Sequence, residues 1–569
     1  MPELKLPFKL KQIEIDWKHV QQCSIYPFLP PPFKEVVRRS PHLLEYLHLL
    51  PLEKTGLPRF YNELSRSLAD LKNRNLIYPV NDKIYVHIYP DPDSERDFYI
   101  SIEPFLTLNL EPIMQKVEER LLDYIDELAE AETDEERKEV LLRCIDKICT
   151  TNGKKNKKWP FGKNDGNNKI RVTERELEGI KYLIIRDKVG LGILDPIVQD
   201  KYIEDISCSG IGPIFIEHKI FRSLKTAITF TSYEELDEFV LKLAERIGKP
   251  LSVHNPIADA VLPDGSRINI VYGRDISKRG SNFTIRKFSE VPMSILELIE
   301  LGTMNYEMAA YLSLVIEEGM NLFVSGETAS GKTTTLNAIT AFIPPEAKIV
   351  TIEDTPELQV PHKNWVREVA SQSEKGAQVS MFDLLKAALR QRPNYILIGE
   401  IRGKEGAIAF QAMQTGHAVM ATFHAASVEK LIQRLTGDPI NVPKTYIDNL
   451  NVVVIQSAVK LPNGKVGRRV LSINEIVGYD SASDSFSYIE VFRWIPSEDR
   501  FEFVGNMNSY LLEQKIAVKR GIPPEKKRQI YAELQRRAKI LERLHKEKGI
   551  KDYYRFLEVL TKARREGVF

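Results

Sequence analysis

The sequence predicts an α/β fold, with strands and helices alternating through most of its second half. Three observations carry this expectation. The stretch NLFVSGETASGKTTTLNAITAF, Asn321 to Phe342, reads as a buried strand, a glycine-rich turn and a helix. Two later apolar strands, in IVTIEDTPEL (Ile349–Leu358) and NYILIGEIRG (Asn394–Gly403), each end in carboxylates. Strand and helix patterns keep alternating from about Val291 to Asn506, as a sheet with helices on both faces requires.

Composition sets the frame. A chain of 569 residues is long enough for three or four domains, because single cores stop growing near about 250–300 residues. With 43% hydrophobic and 28% charged residues and a net charge of +1, it has an ordinary globular composition. A general nucleic-acid binder shows a basic excess, which this near-neutral balance lacks. The four cysteines, Cys23, Cys144, Cys149 and Cys208, are too few and too scattered for a disulfide framework, so a reducing compartment is expected. Cys144 and Cys149 fall in a helical pattern and read as small core residues rather than metal ligands. No apolar run approaches the roughly 18 residues of a membrane span. The N-terminal MPELKLPFKLKQIEID is too charged for the core of a signal peptide. A cytoplasmic chain is the expectation.

Along the chain, Lys83–Glu103 reads as two strands around a Pro/Asp/Ser turn. Val117, Leu121, Tyr124, Ile125 and Leu128 follow helical spacing. Thr133 and Glu136 form a capping box ahead of a second apolar helix, Val140 to Ile148. Residues 1–150 carry no catalytic constellation and read as an accessory domain for docking or regulation. The stretch Thr151–Lys169, with six lysines among Gly and Asn, reads as a basic linker that would also suit anionic lipid or a partner. From 170 to about 290 the pattern is a mixed α+β domain: a helix in ERELEGIKYLIIRDKVGLG, then short strands in GPIFIEH, SRINIVYG and NFTIRKF. Residues 507–569 are charged and helical by periodicity, with Pro523–Pro524 opening one helix and Gly549 closing it.

The chemistry is concentrated in the glycine-rich turn. Gly326-Glu327-Thr328-Ala329-Ser330-Gly331-Lys332-Thr333 fits the phosphate-binding pattern GxxxxGK[ST] in full. Glycines let backbone N–H groups curl around phosphate oxygens, and the helix that starts at Lys332, Thr333 and Thr334 points its positive end at the same place. Lys332 is placed to reach the β- and γ-phosphates, and the Thr333 hydroxyl to hold Mg²⁺. A nucleotide site also needs acids for the metal and the attacking water. Glu353, Asp354 and Glu357 end one buried strand and Glu400 ends another, where open α/β sheets bind ligands. Ser380 and Asp383 form a capping box for the helix leading into the second strand, whose Arg390 and Arg392 read as compensating the helix dipole.

Taken together and in order, the phosphate loop, TIEDTPE, RQRPNYILIGEIRG and TGHAVMATFHAAS (Thr415–Ser427) resemble the Walker A, Asp box, Walker B and His box of the type II/type IV secretion ATPase superfamily. That superfamily includes the ATPases of type II secretion, type IV pili and the archaellum, and the resemblance covers about residues 170–500. It implies a RecA-like P-loop ATPase domain (291–506) preceded by the smaller α+β domain, binding ATP and Mg²⁺ in a homo-hexameric ring. The implied roles are Glu400 as the Walker B acid on Mg²⁺, Glu357 positioning the water with Glu353 behind it, and His417 and His424 sensing the γ-phosphate. The smaller domain would supply arginines against the transition state, Arg267 and Arg286 first and Arg274 second. A polytopic membrane platform protein is the implied partner, holding the ring at the cytoplasmic face.

Departures from the pattern narrow the branch. Asn394 stands where many relatives have Asp, and Gly399 where many P-loop enzymes have Asp. No cysteine follows Cys208, so the four-cysteine zinc element of many bacterial members is absent. The long N-terminal region and the IEDTPEL form of the Asp box look most like archaeal members, serving pilus-like filaments or secretion, or alternatively the archaellum. A nucleic-acid translocase is the more distant reading, opposed by the neutral charge and by the absence of clustered aromatic and basic residues near the motifs.

Overall fold

Unbroken apolar runs such as NLFVSG and HAVMATF can only be strands covered on both faces, which is how parallel sheets are built. In the computed structural model, which describes residues 3–9, 15, 17–131, 133–151, 169–262, 264–288, 291–370 and 379–569, these runs form a nine-stranded sheet. Six strands are parallel: β1 (Leu322–Gly326), β2 (Ile349–Glu353), β3 (Trp365–Val369), β4 (Tyr395–Ile401), β5 (Ala418–Phe423) and β6 (Val452–Lys460). Their spatial order is β3-β2-β4-β5-β1-β6, and three antiparallel strands, β7 (Val466–Asp480), β8 (Ser485–Ile495) and β9 (Arg500–Glu502), extend the sheet past β6. This is the expected RecA-like α/β arrangement.

The helices that cover this sheet include α1 (Tyr306–Glu317), α2 (Lys332–Ile339), α3 (Met381–Arg390), α4 (Glu405–Gln414), α5 (Val428–Thr436), α6 (Gln529–Lys546) and α7 (Tyr553–Arg565). Successive residues of a strand face opposite sides, so the sheet feeds two cores. Leu322 and Val324 join Leu312 of α1, Leu336 of α2, Leu534 of α6 and Phe556 of α7. Phe323 turns the other way, to Leu385 of α3, Phe410 of α4 and Leu431 of α5. The charged C-terminal sequence is therefore an integral layer over the sheet. Buried polar groups pin it there: Glu475 of β7 accepts hydrogen bonds from Tyr311, Ser509 and the Leu511 N–H at 2.8, 2.5 and 3.0 Å. Arg537 pairs with Glu317 at 2.6 Å and Glu533 at 3.0 Å. The expected Pro523–Pro524 start is a 3₁₀ turn, Pro524–Lys526, just before α6, and Gly549 follows its end at φ 61°.

The chain divides into two compact units, Met1–Phe288 and Ser289–Phe569. The sheet and helices above belong to the second. In the first, residues before and after the lysine-rich stretch share one sheet, because Arg222–Phe230 runs parallel to Phe98–Ile102 with Lys225 opposite Phe98. The expected strands are present as Tyr85–Tyr89, Phe98–Ile102, Gly212–His218, Arg267–Val271 and Asn282–Arg286. Helices Glu111–Leu121, Asp134–Ile148 and Glu174–Lys188 pack Val117, Leu141, Ile145, Ile180 and Ile184 into a core of their own, the last two helices capped by boxes at Thr133 and Thr173. Cys144 and Cys149 both lie in that core, as expected, but Cys149 begins a short strand instead of continuing the helix. Of the basic linker, residues 152–168 lie outside the described residues, while its flanks pair in parallel, Cys149 opposite Ile170 and Thr150 opposite Arg171.

One buried asparagine registers the strand that leads into the glycine-rich turn. Asn321 accepts the Val419 N–H at 2.8 Å and donates to the Asn449 carbonyl at 2.8 Å, and its own N–H donates to the Asn451 side chain at 2.9 Å. Asn321→Ala strands the first two of these groups, so unfolding free energy should fall by about 2–4 kcal/mol in denaturant melts; a change within about 0.5 kcal/mol would assign the registration to the apolar core alone.

Candidate functional site

The glycine-rich turn connects β1 to α2 at the C-terminal edge of the parallel strands, the edge at which such sheets present ligand-binding groups. Close approach decides its first residue: a Cβ on Gly326 would run into the Gln456 carbonyl oxygen of β6. Ala329 and Gly331 are left-handed, at φ 61° and 91°, the alternation that makes backbone amides into a concave anion nest. Glu327, Thr328 and Ala329 are exposed, whereas Ser330 is buried and its hydroxyl has no hydrogen-bond partner among the described residues. Lys332 folds back along the loop and donates to the Glu327 carbonyl at 2.8 Å. Gln456 braces the loop from beneath, donating to the Ser330 carbonyl at 2.9 Å and accepting from the Thr335 hydroxyl at 2.7 Å. Sequence reading missed Gln456; its sole signal is a lone amide within the apolar strand VVVIQSAVK.

The acids divide into one that builds and two that face the loop. Glu353, fully buried at the end of β2, accepts the Glu357 and Leu358 N–H groups at 2.7 and 2.6 Å through Oε1, which fixes the turn carrying the exposed Glu357. Among the described residues its Oε2 has no hydrogen-bond partner, with Arg367 standing 3.8 Å away, and burial pushes the carboxyl up to about 7. Asn337 of α2 ties the same turn down, donating to the Glu357 carbonyl at 3.0 Å and accepting the Gln359 N–H at 2.9 Å. Glu400 stands within a bulge near the end of β4, and Arg402 bridges it at 2.6 Å to Asp354 at 3.0 Å. Burial holds the Lys332 ammonium below the usual lysine range, while Glu400 and Glu357 act on it in the opposite sense, so both carboxylates lie within electrostatic reach of the loop lysine. Gly399 lacks a side chain for a spatial reason: a Cβ there would stand 3.2 Å from Glu353 Cγ.

The two histidines separate. His424 follows β5 beside the loop, with Phe423 opposite Ser325 and the Ser325 hydroxyl donating to the Ala425 carbonyl at 2.7 Å. His417 lies elsewhere in this chain. It precedes β5, where its Nδ1 donates to the Pro393 carbonyl at 3.0 Å. The six residues of β5 put about 20 Å between the two ends, so within this chain His417 lies at the edge away from the loop. Asn394 lies at that same distant edge, its side chain accepting the Lys348 N–H at 2.8 Å. In the first unit, Arg267 and Arg286 are register partners on one exposed sheet face, ion-paired to Asp259 at 2.6 Å and Asp205 at 3.3 Å. Arg274 instead lies over the Tyr233 ring at 4.2 Å. The residues brought together at one edge of one unit are thus Gly326 to Thr334, Glu353, Glu357, Glu400 and His424. Among the described residues, no group of three or more His, Cys, Asp or Glu could hold a metal ion by itself, and no helix is long and apolar enough to cross a membrane.

Residues 187–475 match the family model described as Type II/IV secretion system protein. An uncharacterized protein of Methanocaldococcus jannaschii is 47% identical over 542 residues, covering 94% of this chain and 97% of the relative. The type IV secretion system protein VirB11 of Bartonella quintana is 30% identical over 240 residues, 36% of this chain and 67% of its own. Among solved structures, the VirB11 ATPase of Brucella suis matches at 25% identity over 49% of this chain and 91% of its own, with a TM-score of 0.26.

The raised Glu353 carboxyl makes stability depend on pH. The native state keeps a proton that the unfolded chain releases above the ordinary value of 4.5, so this contribution is complete below 4.5 and is lost as pH rises through about 7. Glu353→Gln carries no such proton. Wild-type unfolding free energy should therefore fall relative to this variant by on the order of 1–3 kcal/mol across that window; pH profiles that stay parallel would return Glu353 to ordinary titration.

Proposed function

The chain belongs to the type II/IV secretion system protein family, and we propose that it is an ATPase working as a ring of six copies on a membrane platform protein, driving assembly of a pilus-like filament or type II-like secretion in an archaeon. The observation that carries the ATPase reading is the braced phosphate loop with carboxylates from the ends of two neighbouring strands within electrostatic reach of its lysine. The archaeal setting is supported by the relative from Methanocaldococcus jannaschii, which matches nearly end to end, and the secretion setting by the VirB11 relatives. The ring and the platform come from the family resemblance alone.

The residues present fit a magnesium triphosphate. The loop has an orphaned buried hydroxyl at Ser330, a concave backbone at Ala329–Gly331, and hard oxygen donors in Thr333 and Glu400. Magnesium, when bound, neutralises charge on the phosphate oxygens. Lys332 exchanges the Glu327 carbonyl for β- and γ-phosphate oxygens, and the Ser330 hydroxyl gains an acceptor. Glu357 orients the attacking water from a turn that Glu353 and Asn337 hold rigid. Arg402 restrains Glu400 through their ion pair and keeps Asp354 beside it. The family resemblance assigns to Arg267 and Arg286, ion-paired here with Asp259 and Asp205, the positive charge that phosphoryl transfer needs against its transition state.

Cradle and acids have separable roles, and variants should separate them. Lys332→Ala should lose ATP binding or turnover, whereas Glu357→Gln and Glu400→Gln should still bind ATP and hydrolyse it at least about a hundredfold more slowly. Normal hydrolysis by both Gln variants would refute the assignment. Arg267→Ala and Arg286→Ala remove exposed side chains, so each should keep the wild-type melting temperature and slow turnover at least about tenfold; wild-type rates in both would leave these arginines as surface ion pairs.

A further inference from the structure

The two flanks of the phosphate loop carry different chemistry. Toward β5 and β4 lie His424 and the carboxylates; on the opposite flank lie β6 and β7, and β7 delivers Arg468 to the loop. Arg468 Nε donates to the Ala329 carbonyl at 3.0 Å, and its Cδ lies 3.2 Å from where a Cβ on Gly331 would stand. Among the described residues its Nη groups meet no carboxylate or other hydrogen-bond acceptor. An exposed arginine usually wanders; the backbone carrying this one is fixed. Buried Arg469 makes two bonds to Asp499, at 2.7 and 2.8 Å, and donates to the carbonyls of Leu301 and Arg468 at 3.1 and 2.9 Å. A planar cation with unused donors is therefore presented at the tip of an anion nest, on the side away from the acids.

The polarity of the site decides what this cation meets. Hydrolysis requires the terminal phosphate to face Lys332, Glu357 and Glu400. The phosphate chain must then cross the loop, so the nucleoside leaves it on the β6–β7 flank. A guanidinium plane covers an aromatic face, and its edge donates to ribose oxygens. We infer that Arg468 is a nucleoside-binding residue, whose guanidinium covers the base–ribose end of the nucleotide and so lets the site tell a nucleoside polyphosphate from a bare polyphosphate. This rests on the ATP reading above. The competing role is a brace that merely shapes the loop through Ala329, and it makes a different prediction, since a misshapen cradle weakens every polyphosphate alike.

Titration calorimetry on the full chain with magnesium distinguishes the two, using ADP and inorganic tripolyphosphate as probes. Arg468→Ala should weaken ADP by roughly fivefold to thirtyfold while tripolyphosphate affinity stays within about twofold. Arg468→Lys, which keeps the charge but not the plane, should fall between wild type and Arg468→Ala for ADP. Should Arg468→Ala not fold, an ADP loss in Arg468→Lys with tripolyphosphate unchanged supports the nucleoside assignment equally. Parallel losses for both probes, or an unchanged ADP affinity, would overturn that assignment and leave the ATP reading standing. A wild-type chain that binds neither probe would overturn both.

Discussion

β6 runs so close to the start of the phosphate loop that the loop can exist only with glycine at 326, and the rest of the site depends on that approach. The Gln456 carbonyl occupies the space a side chain would need, and the Gln456 amide uses both of its ends, one on the Ser330 carbonyl and one on the Thr335 hydroxyl. A fully engaged buried amide fixes geometry in a way an apolar contact cannot, because any slip leaves polar groups unpaired. The cradle is therefore shaped before any ligand arrives, which is the condition under which fixed dipoles are most effective. The brace is itself registered from below, since Asn321 sets β1 between β5 and β6.

The acid side is coupled to the same helix that the brace holds. Asn337, about one and a half turns into α2, bonds the Glu357 carbonyl and the Gln359 N–H just beyond it, and Glu353 completes the turn from the strand beneath. The phosphate loop and the turn carrying Glu357 are thus tied to one helix, and movement of α2 would carry both. Arg402, Glu400 and Asp354 form a second cluster that closes on itself through ion pairs. Such a cluster keeps two carboxylates close together at a tolerable electrostatic cost, since the guanidinium compensates each of them.

Much of this was legible in the sequence because it is local. The glycine pattern, the carboxylates at strand ends and the capping boxes at Thr133 and Ser380 are all set by spacing within a few residues, and each stands where spacing put it. What was not legible is what the fold brings together from afar. Gln456 and Arg468 lie more than a hundred positions from the loop they contact, and in the sequence they are a polar interruption and an ordinary charge. His417 misled for a related reason: a motif states order along the chain, and a six-residue strand between two histidines converts order into opposite edges. The single sheet of the first unit was hidden likewise, because the parallel pairing of Lys225 with Phe98 leaves no local mark.

The departures at 394 and 399 follow from the same geometry. Asn394 sits at the distant edge, where it needs only an acceptor for the Lys348 N–H, and an amide serves as well as a carboxylate. Position 399 is different, because it lies beside Glu353. The bulge between Ile398 and Ile401 breaks the simple alternation of β4 where Gly399 and Glu400 stand, with Gly399 against Glu353 and Glu400 within reach of Lys332. An aspartate at 399 would crowd a carboxyl whose Oε2 has, among the described residues, Arg367 at 3.8 Å but no hydrogen-bond partner, bringing together two acids that do not readily ionise side by side. Glycine there leaves room for Glu353, and Glu353 holds the turn of Glu357 through Oε1. The glycine on β4 and the buried acid on β2 are therefore one arrangement, in which Glu353 shapes the turn while Glu400 and Glu357 lie within electrostatic reach of Lys332.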